Sequence, residues 1–275
     1  MRRGLVSTMA CAALLAAAGC SSDNEGGAAG AGGDVVLATT TSTQDSGLLD
    51  ELLPTFEKTS DCVVKTVAVG SGEAMTMGER GDADVLLVHS PDAEEQFMAD
   101  GYGSDRNAVM HNDFVVVGPP ADPAGVADAD GAAEALSRIA QHKAPFASRA
   151  DDSGTYAKEM SLWEAAGVDP AGSWYVETGQ GMGATLTIAN QKQAYTLSDR
   201  STFLATSGLQ SEIEFEGSGD LRNNYSVIVV DHEGINTACA EEFSGWIRKE
   251  KVQEQIAEFG IAEYGEQLFF PDAMN

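Results

Sequence analysis

The chain has 275 residues, 43 of them acidic and 16 basic, for a formal net charge of −27. So few cations leave no basic face to neutralise phosphates and no polybasic surface segment, which excludes a nucleic-acid binder and a polybasic membrane-surface protein. Hydrophobic residues make up 43% and occur in long runs, so the acidity does not signal disorder, and the length suffices for one large or two small folded domains.

Arg2 and Arg3 precede an apolar run from Leu5 to Ala18, too short for a permanent membrane span, so residues 1–19 read as a signal peptide. The run ends in Ala17-Ala18-Gly19-Cys20, which resembles the lipobox of bacterial lipoproteins, with Ala17 where Leu or Val is usual. That resemblance implies lipidation of Cys20 and an extracytoplasmic protein anchored to the cell membrane. Residues 20–33, mostly SSDNEGGAAGAGG, can bury nothing and read as a flexible tether. Cys62 and Cys239 then remain as two thiols in an oxidising exterior, where a disulfide is reasonable, although spacing alone does not show that they meet.

Beyond the tether, short β-rich runs alternate with helical patterns, the signature of an α/β fold. Residues 34–40 read as a buried strand, followed by a helix over roughly 45–58. A second strand, 62–69, runs into Gly70-Ser71-Gly72 and a helical stretch, and a third, 84–89, leads to a helix near 93–100. Two apolar runs, 113–118 and 225–231, are long enough to pass between lobes. Between them lie a helix near 132–141, a strand near Pro145, a helix over 155–166, a strand near 173–177, a Gly-rich turn and a strand–helix pair within 194–205. Helices over 236–249 and 252–259 follow the second run. The pattern predicts a two-lobed clamp hinged on two crossover strands, with lobe I from 34–117 plus 226–275 and lobe II from 118–225.

Chemistry concentrates in four turns, each between a strand and a helix: Thr39-Thr40-Thr41-Ser42-Thr43, Gly70-Ser71-Gly72, residues 148–155 (SRADDSGT) and Gly179-Gln180-Gly181-Met182-Gly183. Helix N-termini carry unsatisfied N–H groups and a partial positive charge, so several aimed at one point make an anion site, and hydroxyls add neutral donors. Arg149 adds one full positive charge, and Asp151 is placed to hold its guanidinium. Taken singly, each turn is equally an ordinary cap or connector; four on one chain point to a ligand.

Enzyme readings lack their motifs. No G-x-S-x-G elbow, Walker loop or G-x-G-x-x-G after a strand is present. His89, His111, His142 and His232 are scattered without a metal-ligand spacing and read as surface or lobe-edge residues, while Trp163, Trp174 and Trp246 read as core.

The segments LATTTSTQDSGLLDELLPTFEK, DADVLLVHSPDAEEQFMADGYG, SRADDSGTYAKE, YTLSDRSTFL and GEQLFFPDA together resemble the tungstate-binding lipoproteins of bacterial ABC importers, over essentially the whole chain from Leu37 onward. The resemblance implies a type II periplasmic-binding-protein fold with the oxyanion between two lobes, delivered to a membrane permease and its ATPase. It implies that Thr39, Thr40, Thr41 and Ser42 form the first ligand loop, Ser71 the second, and Arg149, Ser153 and Thr155 the third. Arg200, in YTLSDRSTFL, matches a family arginine that is either a ligand or structural. Ala150 and Ser201 stand where family sequences often have Gly. It further implies a monomer, tungstate bound as an oxyanion, no metal, no cofactor and no catalysis.

Tungstate at neutral pH accepts hydrogen bonds and donates none, so a pocket of N–H, O–H and one Arg suits it. Hydrogen phosphate carries a proton, and leaving a buried acceptor or donor unmatched costs about 1–3 kcal/mol. Phosphate, with a similar third loop, and molybdate, nearly the size of tungstate, are the alternative cargoes. A secreted phosphatase or sulfatase is the reading from another class, and it lacks a nucleophile or metal cluster in the sequence.

Overall fold

Strand β1 (Gly33–Thr40), helices α1 (Thr41–Asp45) and α2 (Leu48–Thr59), β2 (Cys62–Val69), α3 (Ser71–Arg80), β3 (Val85–Val88) and α4 (Pro91–Ala99) open the fold. The structure is a computed structural model and describes residues 32–217 and 219–273. The signal peptide, Cys20 and nearly all of the tether lie outside the described residues. Gly33 already belongs to β1, its N–H donating to Asp61 O at 3.1 Å.

Long strand β4 (Gly103–Gly118) follows, then α5 (Ala132–His142), β5 (Phe146–Ser148), α6 (Gly154–Ala165), β6 (Tyr175–Glu177), α7 (Met182–Lys192), β7 (Thr196–Asp199), α8 (Arg200–Ala205) and β8 (Glu212–Phe215). The chain returns through β9 (Arg222–Val230), α9 (Thr237–Ile247), α10 (Glu250–Glu258), α11 (Ile261–Tyr264) and β10 (Phe270–Pro271).

The main sheet runs β10-β4-β9-β3-β1-β2, with β2, β1 and β3 parallel and β9 antiparallel to β3. Further along, β4 pairs antiparallel with β7 and β8, so one strand serves both parts of the curled sheet. A parallel pair, β5–β6, lies beside β7 through a bridge between Phe146 and Tyr195.

The two-residue period of a strand sorts the apolar runs onto opposite faces. Val35, Leu37, Val85, Leu87, Val227 and Val229 pack on one face with α2, α9 and α10, while Ala38, Leu86, Val88, Ile228 and Val230 pack on the other with α3 and α4. Parallel strands covered on both faces read as unbroken apolar runs, which is why these strands were legible. On α2, Leu48, Leu49, Leu52 and Phe56 form the buried stripe of an amphipathic helix. Phe56 meets Phe243 edge-on at 5.4 Å and Trp246 at 5.1 Å, pairs worth about 0.5–1.5 kcal/mol each.

A second group of cores is built from the middle of the chain: Phe114 and Val116 pack with α5, α6, Tyr195 and Leu197, and Val115 and Val117 with Met182 and Leu186. Thus β4 leaves the first group after Met110 and enters the second at Phe114. The expected boundary after residue 117 places Phe114–Val117 with the first group; their side chains pack with the second.

Other differences have local causes. The helix expected over roughly 45–58 starts later, at Leu48, and a short unexpected helix, Thr41–Asp45, precedes it, the two separated at Gly47, which sits at φ +81°. The first half of β4 is half-exposed and polar (GSDRNAVMHN), so it lacked an apolar signature, yet it pairs with β9 from Gly103 onward. Cys62 and Cys239 form a disulfide across 177 residues, joining the start of β2 to α9.

Candidate functional site

The four turns follow the carboxyl ends of β1, β2, β5 and β6, and they contact one another. The contacts are specific. Gly72 N donates to Asp152 O at 2.8 Å, joining the start of α3 to the loop before α6. Arg149 Nη2 lies 3.5 Å from Thr41 Oγ1, and Thr202 Oγ1 donates to Ser42 O at 3.2 Å. A Cβ on Gly181 would stand 3.3 Å from Thr41 Oγ1, so the fourth turn presses on the first. A Cβ on Gly154 would stand 2.6 Å from His89 O and 2.7 Å from His89 Nδ1, so only glycine fits between Ser153 and Thr155.

Within this junction, Ser71 Oγ, Thr155 Oγ1 and Arg149 Nη1 are buried polar atoms without a hydrogen-bond partner. A native interior pairs nearly all its polar atoms, so three unpaired donors from three elements call for an acceptor. Each opens or precedes a helix: Ser71 starts α3, Thr155 is the second residue of α6, and Arg149 lies in the loop before α6. First-turn amides have no partner within their own helix; here three of them are taken by other groups of the junction, Thr43 N by Thr40 Oγ1, Gly72 N by Asp152 O and Tyr156 N by Ser153 Oγ.

Arg149 is 2% exposed and held in place by its neighbour: Asp151 Oδ2 accepts from Nη2 at 2.6 Å and from Nε at 3.2 Å. Asp151 Oδ1 accepts from Ser153 Oγ at 2.5 Å and Ser153 N at 3.3 Å. The carboxylate therefore fixes the guanidinium on one side and leaves Nη1 directed elsewhere. Ala150, between them, lies at φ +46°, a left-handed conformation that non-glycine residues rarely adopt, which explains why glycine suits that position.

The remaining expected residues have other tasks in this structure. Thr39 sits within β1 and spends its hydroxyl proton on Leu87 O at 2.8 Å. Thr40 caps α1, accepting from Thr43 N, and shares its hydroxyl with Ser42 and Thr43. Ser153 caps α6 and donates to Asp151. Arg200 is engaged by carboxylates: Asp113 accepts from its Nε and Nη2, Glu216 accepts from Nη2, and Glu266 lies 3.7 Å from Nη1. These carboxylates hold its pKa above the ordinary arginine value.

Sequence reading missed His89. Read as a surface or lobe-edge residue, it is instead 3% exposed, with Nε2 at 3.2 Å from Thr40 Oγ1 and 3.3 Å from Ser42 Oγ. Burial, and then the charge of Arg149, lower its pKa to about 4, so the ring is neutral at pH 7. It is the residue after β3, at the carboxyl end of a parallel strand, where α/β sheets place ligands; that position, rather than a histidine spacing, was the available signal. Asp199 was missed too. It caps α8 through Oδ1, which accepts from Ser201 Oγ and Thr202 N, and burial raises its pKa.

The profile of the PBP superfamily domain matches residues 24–250. The tungstate-binding protein TupA of Peptoclostridium acidaminophilum is 47% identical over 238 residues, covering 84% of this chain and 83% of that protein. The crystal structure of the tungstate ABC transporter from Geobacter sulfurreducens superposes with a TM-score of 0.75 at 46% identity, covering 82% of this chain and 98% of that one. The tungstate-binding protein TupA from Desulfovibrio alaskensis gives a TM-score of 0.71 at 40% identity over 87% of this chain and 98% of its own. The curled mixed sheet is the type II arrangement of these proteins. The chain belongs to the periplasmic-binding-protein superfamily and, within it, to the family of the TupA tungstate-binding proteins.

Proposed function

We propose that the chain captures the tungstate oxyanion outside the cytoplasm and delivers it to the permease and ATPase of an ABC importer. The observation that carries this reading is the set of three buried, unpartnered donors, Ser71 Oγ, Thr155 Oγ1 and Arg149 Nη1, at the starts of helices. A dianion that only accepts hydrogen bonds satisfies all three. Six to eight such bonds at about 1.5–3 kcal/mol each leave room for nanomolar capture, about 12 kcal/mol net, after ordering costs.

In this reading, residues 34–113 with 226–275 and residues 114–225 are lobes that close on the ligand, and β4 with β9 forms the hinge. The protein works as a monomer, without cofactor, metal or catalysis, tethered to the membrane through lipidated Cys20. The relatives, which are binding proteins, support the non-enzymatic role.

One observation favours a second cargo. Hydrogen phosphate needs an acceptor, and Asp199 Oδ2 is a buried carboxylate oxygen without a partner. A thermal-shift panel of tungstate, molybdate, sulfate and phosphate decides between them. Tungstate at micromolar concentration is expected to raise the melting temperature most strongly. Phosphate outcompeting tungstate would reassign the cargo, and no response to tungstate would end the reading.

A further inference from the structure

The ligand loop that carries Arg149 rests on a buried carboxylate with no assigned role. Glu159 is 1% exposed and lies on α6 four residues after Thr155, hence on the same helix face about 6 Å further along the axis. Its Oε2 accepts from Ser148 Oγ at 2.9 Å, and its Oε1 accepts from Tyr175 Oη at 2.7 Å and Trp163 Nε1 at 3.1 Å. Ser148 is the hub of the loop: its Oγ also accepts from Ala150 N at 3.2 Å, and its carbonyl accepts from Thr178 N and Thr178 Oγ1, both at 2.9 Å. Next in the chain, the carbonyl of Arg149 accepts from Gly179 N at 2.9 Å. Glu159 thereby fixes the third and fourth turns together, directly behind Arg149.

A dianion held by Thr155 and Arg149 brings like charge to within about one helical turn of this carboxylate, where little water screens it. The site can absorb the conflict with a proton. Ser148 Oγ can reverse and accept from a protonated Oε2, while Trp163 keeps donating to Oε1. We propose that Glu159 is a proton-linked positioning residue of the oxyanion site, which anchors the Arg149 loop through Ser148 and takes up a proton as the dianion binds. The inference rests on the oxyanion reading of the site.

The surroundings are favourable for such a linkage. Burial, opposed by the three hydrogen bonds and reinforced by the charge of Asp151, raises the Glu159 pKa to about 7. The ionisable groups around it are Tyr156 on α6, Tyr175 and Glu177 on β6, and Asp151 on the loop after β5; the α5 residues buried beneath α6 are Ala132, Ala135, Leu136 and Ile139.

Calorimetric titration of the intact protein with sodium tungstate at pH 7, in two buffers of different ionisation enthalpy, tests the linkage. Wild type is expected to take up about 0.4 proton per tungstate, and its Kd to rise about sevenfold between pH 6 and 8.5, as follows from a pKa raised by about one unit on binding. Glu159→Gln, which keeps the shape and can still meet Ser148, Tyr175 and Trp163, is expected to bind with no uptake and a flat pH profile. Binding by wild type without uptake overturns the proposal irrespective of whether the variant folds. Uptake that persists in Glu159→Gln, as titration of His89 would cause, overturns it as well. Absence of any tungstate heat instead defeats the oxyanion reading, and this inference with it.

Discussion

Gly72 donates its backbone N–H to the carbonyl of Asp152 at 2.8 Å, so the start of α3 and the Arg149 loop touch main chain to main chain. A Cβ on Gly72 would stand 3.0 Å from both Asp152 O and Asp152 Cβ, and backbone cannot swing aside. Gly72→Ala is therefore expected to hold the two ligand loops apart and weaken tungstate binding about tenfold, close to 1.4 kcal/mol, by isothermal titration. Undiminished affinity would show that this contact is not part of the bound state.

Arg149 supplies the full positive charge within the donor set. Arg149→Ala is expected to cost about 3 kcal/mol of binding, roughly a hundredfold in Kd or more, with the fold checked by circular dichroism. Arg149→Lys is expected to bind poorly too, because a single ammonium cannot both satisfy Asp151 and reach the ligand. Wild-type affinity in the alanine variant would remove Arg149 from the site.

Ala150 pays a conformational penalty at φ +46° that glycine avoids. Against that stands the greater entropy of glycine in the unfolded chain. Ala150→Gly is expected to stabilise the protein by about 0.5–1 kcal/mol in urea unfolding. Destabilisation would mean that the Cβ does more for packing than the backbone loses.

His89 makes stability depend on acid. Its folded pKa of about 4 lies below the ordinary 6.5, so the unfolded chain binds the proton more tightly and stability falls as pH drops from 6.5 through 4. The loss attributable to His89 approaches about 3 kcal/mol at the low end. His89→Gln is expected to lose less stability than wild type between pH 7 and 4 in denaturant titrations. Parallel pH profiles for the two proteins would contradict a neutral, buried imidazole.

The disulfide joins residues 177 apart in sequence, and closing so long a loop removes much unfolded-state freedom. Reduction, or the double change Cys62→Ser with Cys239→Ser, is expected to cost about 3–5 kcal/mol. A melting temperature indifferent to reductant would refute that.

What sequence made legible follows from where each signal comes from. Strands such as Cys62–Val69 and helices such as Ala132–His142 announce themselves through local apolar period, and their bounds match closely. The four turns that contact one another were legible because hydroxyls, glycines and an arginine before helices have local meaning. The tasks of individual hydroxyls were not. Thr39 and Thr155 look alike in sequence, yet one bonds Leu87 O in a neighbouring strand and the other has no protein partner. Arg200 sits in a recognisable motif, but its partners Asp113, Glu216 and Glu266 come from distant parts of the chain. His89 required knowing which strand end faces the junction. The acidity bounds the proposed mechanism: at physiological salt, charges beyond about 8 Å are largely screened, so on this proposal Arg149 and its neighbouring donors, rather than the overall charge, attract the anion.

The most direct measurement is the anomalous scattering of tungsten in crystals grown with tungstate. One strong peak bounded by Ser71 Oγ, Thr155 Oγ1 and Arg149 Nη1 is the result this account predicts. A peak elsewhere, or none under conditions where tungstate saturates the protein in solution, would contradict it.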